Sequence, residues 1–294
     1  MTDPAIISVR RPGTNAGGPV VPIREEAGHL DGKSELLILV HGYNNSREEA
    51  MSSYATFLGL LGEKFATFTA QVAEFTWPGD EPNKIISALS YSNQIKPAVE
   101  SAQLLAKYLQ GLQHGSPIVV SLVGHSLGCR LILEVLKIWS SSPPPSIFVK
   151  TIVLMAAAVV IRHTDDGGPL HPAAMLTLGN PVLYSKGDLV LHWAFPIGET
   201  IAGEAFFPTA VGRTGGPPGV WHFPQPMSHS GKAYAHGAYW NGDESTTAVA
   251  VALGGAPARL TPENSIWSNP DPAENLVTER VMPARTLSAR PSFA

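Results

Sequence analysis

Cysteine occurs once in the 294 residues, at Cys129, so no internal disulfide can form. A lone cysteine at the start of a helix is expected to serve as a small buried hydrophobe. Charge is scarce as well: charged residues make up 15% of the chain, the formal net charge is -4, and no segment is crowded with lysine and arginine. The basic footprint that grips nucleic acid or an anionic membrane surface is therefore missing, and a small uncharged substrate fits better. Long apolar runs are missing too. The longest, Ile152 to Ile161, falls well short of the ~20 residues that a membrane-spanning helix needs, so no membrane insertion is expected. Met1 to Arg11 has no apolar core behind a basic start, which predicts a cytoplasmic protein. The histidines show no H-E-x-x-H spacing, and neither a metal nor a cofactor is expected.

What the chain does have is 44% apolar residues, ample for the core of one α/β domain. Its most informative stretch runs from Pro117 to Arg130. Ile118 to Val123 reads as a buried strand, Gly124-His125-Ser126-Leu127-Gly128 as a tight turn, and Leu131, Ile132, Val135, Leu136 and Trp139 as the inner face of a helix. With 28 glycines in the chain, five letters G-x-S-x-G alone are weak, but strand, turn and helix together describe a nucleophile elbow that presents a serine hydroxyl. A serine hydroxyl is a poor nucleophile until a base takes its proton, so the chain must supply that base elsewhere.

Before the elbow, the Pro- and Gly-rich residues 1–33 hold two short apolar patches, Ile6 to Val9 and Val20 to Ile23, which read as edge strands. Glu35 to Val40 reads as a strand buried on both faces and leads through His41-Gly42-Tyr43 to a helix begun by the capping box Ser46 and Glu49. Gln71 to Thr76 reads as another strand, and Ile95 to Leu112 as an amphipathic helix. After the elbow helix stops at the prolines 143–145, Phe148 to Met155, Pro181 to Tyr184 and Val220 to Phe223 read as further strands and Ser245 to Leu253 as the last helix. Roughly 25 residues between the strands at 148 and 181 are too few for a large cap domain. The expected organisation is an N-terminal segment 1–33, a catalytic domain 34–254 and a Pro-rich tail 255–294.

In such a fold the serine is followed in the chain by an acid and then a histidine, each after a strand. Asp188, in Ser185-Lys186-Gly187-Asp188, leads for the acid, with Asp165 and Asp166 as rivals. His236 leads for the base, with His229 in the same loop as its rival, while His125 reads as packing and His41 as a loop-bonding structural residue. Oxyanion donors are expected from the backbone N–H of Leu127 and from Tyr43, with Asn44 as second choice. Trp77, Trp193, Phe195, Phe206, Phe207 and Trp240 are candidates for an apolar substrate wall.

The segments Val40 to Ser46, Phe75-Thr76-Trp77-Pro78-Gly79, Gly124 to Gly128, Tyr184 to Asp188 and His236-Gly237-Ala238-Tyr239-Trp240 together resemble the α/β-hydrolase superfamily. More narrowly, they resemble its bacterial branch of α/β hydrolases of unknown function. The resemblance implies an eight-stranded, mostly parallel sheet with helices on both faces and carries over Ser126 as nucleophile, Asp188 as acid and His236 as base. Two features depart from the branch: alanines 156–158 where an aspartate is frequent, and a long Gly- and Pro-rich loop from His192 to Gly219. The expected activity is hydrolysis of small carboxylic esters of short to medium acyl chain through an acyl-enzyme. The alternatives are an acyltransferase with the same triad and a silent binding protein that kept the fold.

Overall fold

The structure, a computed structural model, describes residues 3–14, 17–80, 88–112, 117–176, 179–221, 224–229 and 232–254. Its centre is a set of strands with no polar face. In β3 (Glu35–Val40) Leu36 to Val40 are all fully buried, β4 (Gln71–Thr76) and β5 (Ile118–His125) are nearly so, and β6 (Ile147–Met155) is buried from Thr151 onward. Strands buried on both faces need helices above and below, as a parallel sheet supplies. The eight-stranded sheet has the order β2-β1-β4-β3-β5-β6-β7-β8. β1 (Ala5–Ser8), β7 (Val182–Tyr184) and β8 (Gln225–Pro226) run parallel to their inner neighbours, and β2 (Arg24–Ala27) is antiparallel to β1 at the edge. The helices fall into two groups, α1 (Arg47–Lys64) with α8 (Asp243–Ala252), and α2 (Ala88–Gly111) with α3 (Leu127–Ser141) and α6 (Phe195–Ala202), the short α4 (Ile161–Thr164) lying beside α5 (His171–Ala174) and α5 beside α3. This is the α/β-hydrolase fold.

Local chemistry explains the boundaries. The capping box closes as expected: Glu49 N–H donates to Ser46 Oγ at 3.3 Å, and Ser46 N–H donates to Glu49 Oε2 at 2.9 Å. The helix expected from Ile95 begins earlier, at Ala88, and runs through Pro97, which costs it one backbone bond without ending it. Of the two expected edge strands the first, β1, lies inside the sheet, paired by β2 on one side and β4 on the other. The second is Arg24–Ala27 and not Val20 to Ile23; Val21 N–H instead donates to Val9 O at 2.9 Å from an irregular segment. The last strand is likewise Gln225–Pro226. Val220 and Trp221 form a turn, the Val220 carbonyl accepts from Asn180 Nδ2 at 3.0 Å, and residues 222–223 lie outside the described residues. The long loop from His192 to Gly219 is largely helical: a π-helical turn (Val190–Ala194) runs directly into α6, and α7 (Val211–Thr214) follows. The tail 255–294 lies outside the described residues.

Candidate active site

The carboxyl ends of β3, β5 and β7 and the chain after β8 meet at one edge of the sheet, the place where open parallel sheets bind ligands. At the end of β5, Ser126 has φ 53° and ψ -123°, a strained conformation for a residue with a side chain. Its peptide is clamped: Ser126 N–H donates to Met155 O at 2.9 Å, and its carbonyl accepts from the N–H groups of Cys129 and Ala158 at 3.1 Å each. The elbow also needs bare backbone beneath it. A Cβ on Gly128 would lie 2.4 Å from His41 O and 2.6 Å from Val40 O, so only glycine lets α3 start this close to β3.

Ser126, Asp188 and His236 come together. His236, in a single turn of 3-10 helix (His236–Ala238), places Nε2 at 2.9 Å from Ser126 Oγ and Nδ1 at 2.7 Å from Asp188 Oδ2. Asp188 is fully buried, and its Oδ1 accepts from Leu191 N–H at 2.9 Å. A carboxylate at Nδ1 fixes the proton there and leaves Nε2 bare toward the serine. The rivals fall elsewhere. Asp165 and Asp166 are exposed, and His229 sits in the two-residue strand β9 (Ser228–His229), whose partner is β10 (Lys232–Ala233).

The loop after β3 is held from several sides. His41 Nδ1 donates to Gly42 O at 2.9 Å, its Nε2 accepts from Trp77 N–H at 3.2 Å, and Trp77 Nε1 donates to His41 O at 2.9 Å while the two rings stack. His41 is thus the structural residue expected from the sequence. The buried Arg10 reaches in from the end of β1, with Nη1 on Asp80 Oδ1 at 2.7 Å and Nη2 on Asn45 O at 2.8 Å. Asn44 N–H donates to Gly79 O at 2.7 Å and is thus already engaged away from Ser126. Tyr43 lines the cavity beside Ser126, and Leu127 is the first residue of α3, whose N–H has no carbonyl one helical turn behind it.

That cavity is small, about 40 Å³, and is lined by Tyr43, Tyr91, Ser126, Leu191, Phe195 and His236 among others. It can hold water but falls far below the roughly 300–1,000 Å³ of a typical ligand pocket. The cover is the helical run 189–202. Its inner face supplies Leu191, Ala194 and Phe195, while Leu189, Trp193, Ile197 and Ile201, four residues apart, are exposed on its outside. Tyr91 on α2 holds this cover, donating to Glu199 Oε1 at 2.9 Å and meeting the Phe195 ring edge-on. Of the six aromatic wall candidates, only Phe195 reaches the cavity. Trp77 and Trp240 are core, and Trp193, Phe206 and Phe207 are exposed. The sequence reading missed Leu191, Ala194 and Tyr91. The spacing 191, 195, 199 carries a helical signal, but Pro196 and Gly198 disguise it as loop.

Four buried groups set an expected pH dependence of stability. Burial lowers His41 and His125 from 6.5 to about 3, and burial raises Glu74 and Glu199 from 4.5 to about 7. Lowered histidines stabilise the fold above pH 6.5, and that contribution is lost as pH falls toward 3. For the raised carboxyls the folded state binds more protons than the unfolded one, so stability is lost as pH rises from 4.5 through about 7. The two trends oppose each other between 4.5 and 6.5, so the thermal midpoint is expected to plateau there and fall on both sides. In a melting series, Glu199→Gln is expected to match the native protein at pH 4 and to melt higher at pH 8.

Among the described residues no helix is long and apolar enough to cross a membrane, and no cluster of metal-ligating side chains occurs. Residues 26–162 match the model of a family described as alpha/beta hydrolase of unknown function. The match includes Ser126 and ends before Asp188 and His236. No curated protein matches the sequence. Solved structures that are similar include a hyperthermophilic esterase from the archaeon Pyrobaculum calidifontis, with 13% identity, 78% of this chain and 79% of that one covered, and a TM-score of 0.40. Carboxyl esterase 2 of the fungus Tuber melanosporum shares 13% identity over 76% of this chain and 78% of its own, with a TM-score of 0.35. An extracellular alpha/beta-hydrolase from a Paenibacillus species shares 16% over 75% and 98%, also at 0.35. Identities this low say nothing of substrate.

Proposed function

We propose that this chain, which has the α/β-hydrolase fold and matches a model of alpha/beta hydrolases of unknown function over residues 26–162, is a serine hydrolase that cleaves carboxylic esters. The observation that carries the reading is the unbroken chain from Asp188 Oδ2 through His236 to Ser126 Oγ, at 2.7 and 2.9 Å. His236 Nε2 takes the serine proton as Oγ attacks the ester carbonyl. The tetrahedral oxyanion is received by the backbone N–H groups of Leu127 and Tyr43, each such donor being worth about 2.7–4 kcal/mol of barrier. Collapse breaks the C–O bond, and the imidazolium returns its proton to the departing alcohol. Water, deprotonated by the same histidine, then attacks the acyl-enzyme, and release of the acid restores Ser126.

The apolar lining contributed by Leu191, Ala194, Phe195 and Ala158 suits an uncharged acyl group, and a cavity of about 40 Å³ has no room for a medium acyl chain unless the helical cover moves. Hydrolysis of a p-nitrophenyl ester series from acetate to palmitate tests the reading. Turnover that depends on acyl length, with a preference for short to medium chains, is expected; inertness toward every member would overturn the esterase reading. Added alcohol acceptors that divert product into new esters would show the acyltransferase instead.

Gly42 offers a second check. A Cβ there would lie 2.7 Å from Ser126 Cβ and 2.9 Å from His125 Nδ1. Gly42→Ala must therefore displace either the Tyr43 loop or the nucleophile. A loss in kcat of about 10²-fold is expected, the size of effect that a misplacement near 1 Å produces, with the circular dichroism spectrum unchanged.

A further inference from the structure

His125 precedes the nucleophile on β5 and is buried, yet the ester-cleaving steps make no use of it. Its Nε2 lies 2.7 Å from the main-chain oxygen of His236, and the two imidazole rings are 4.9 Å apart. A carbonyl oxygen only accepts, so the proton of His125 is on Nε2, and Nδ1 is left bare, buried and without a hydrogen-bond partner among the described residues. A Cβ added to Gly42 would come within 2.9 Å of that nitrogen, so the ring is wedged between the oxyanion loop and the turn that carries His236. Tyr239 and Trp240 stand against its remaining sides, with ring centroids at 5.9 and 6.3 Å.

Resting on the serine-hydrolase reading, we infer that His125 is a positioning residue for the catalytic base, tying the main chain of His236 directly to the strand that ends in Ser126. The need for such a tie is geometric. His236 is carried by one turn of 3-10 helix, while Ser126 is fixed by the sheet. The 2.9 Å separation of Nε2 and Oγ therefore depends on where that turn sits relative to β5. A hydrogen bond from the residue adjacent to the nucleophile sets this distance by the shortest route available. The donor must also be neutral, because a fixed positive charge 4.9 Å away would oppose the imidazolium that forms on His236. Burial keeps His125 neutral, lowering it to about 3.

The test uses three variants of the full chain. Glutamine carries its amide nitrogen at the reach of a histidine Nε2, asparagine carries it only at the reach of Nδ1, and phenylalanine fills the volume with no donor. His125→Gln is expected to keep kcat within about tenfold of the native protein. His125→Asn and His125→Phe are expected to lose about 10²-fold in kcat with KM unchanged, the pattern of a misplaced group acting in the transition state. A role confined to packing would instead preserve activity in the phenylalanine variant, and that result overturns the proposal. Equal activity of the glutamine and asparagine variants overturns it too, including when the phenylalanine variant fails to fold. A Ser126→Ala control run on the same esters separates the two levels: if it matches the native protein, the hydrolase reading has failed, whatever the His125 series shows.

Discussion

Ser126→Ala is expected to lower kcat on p-nitrophenyl butyrate by about 10⁶-fold, the loss that follows when a triad nucleophile is removed. The size follows from what the methyl group cannot do. It offers no lone pair to the carbonyl and no proton to His236 Nε2, so the acyl-enzyme route closes altogether. Folding should survive, because the clamps on residue 126 are main-chain bonds to Met155, Cys129 and Ala158 that alanine retains. An unaltered melting curve beside the lost activity is therefore part of the expected result, measured by stopped assay and calorimetry on the same preparation.

Asp188→Asn is expected to cost about 10⁴-fold in kcat, by forcing the wrong histidine tautomer. Two neighbours decide how the new amide would lie. Leu191 N–H points at the Oδ1 position from 2.9 Å, so the amide oxygen must face it and the NH₂ must take the Oδ2 position, 2.7 Å from His236 Nδ1. That NH₂ needs an acceptor, which moves the imidazole proton to Nε2 and points it at Ser126, where it can no longer receive one. Asp188→Glu, although still acidic, must fit a longer side chain into a fully buried place and is expected to be impaired for a different reason. Kinetics over pH 6 to 9 would separate the two variants: hydroxide can partly replace the lost base in the asparagine variant, so its activity should climb with pH.

Much of the fold was legible because burial on both faces leaves a strong local signature. β3 and β4 begin and end at the residues that the apolar runs mark. The elbow was equally legible, since strand, glycines and helix are contiguous in the chain. The order of the strands pointed to Asp188 and His236 but left Asp165, Asp166 and His229 as rivals, and it set the strand before His236 at Val220 to Phe223 rather than Gln225–Pro226. Val220 looks like strand because it is β-branched and apolar, but its carbonyl is taken by the Asn180 side chain, a tertiary bond that no local pattern shows.

The cover over the nucleophile was the least legible part. Pro196 sits where the π-helical turn passes into α6, inside a continuous helical run, but in the bare sequence Pro196 and Gly198 read as loop. The motif Phe75 to Gly79 was conspicuous without an evident purpose. Its purpose lies in contacts distant in sequence: Trp77 stacks on His41 and bonds its carbonyl, and Gly79 accepts from Asn44, so the motif shapes the loop that carries Tyr43.

The most direct test of the central claim, that His236 activates Ser126 as a nucleophile, is the mass of the intact protein and of its peptides after exposure to a fluorophosphonate. The account predicts a single adduct on the peptide containing Ser126, formed rapidly in the native protein, slowly in His236→Ala and not at all in Ser126→Ala. An unlabelled Ser126 in a preparation that hydrolyses esters, or an adduct on another residue, would contradict it.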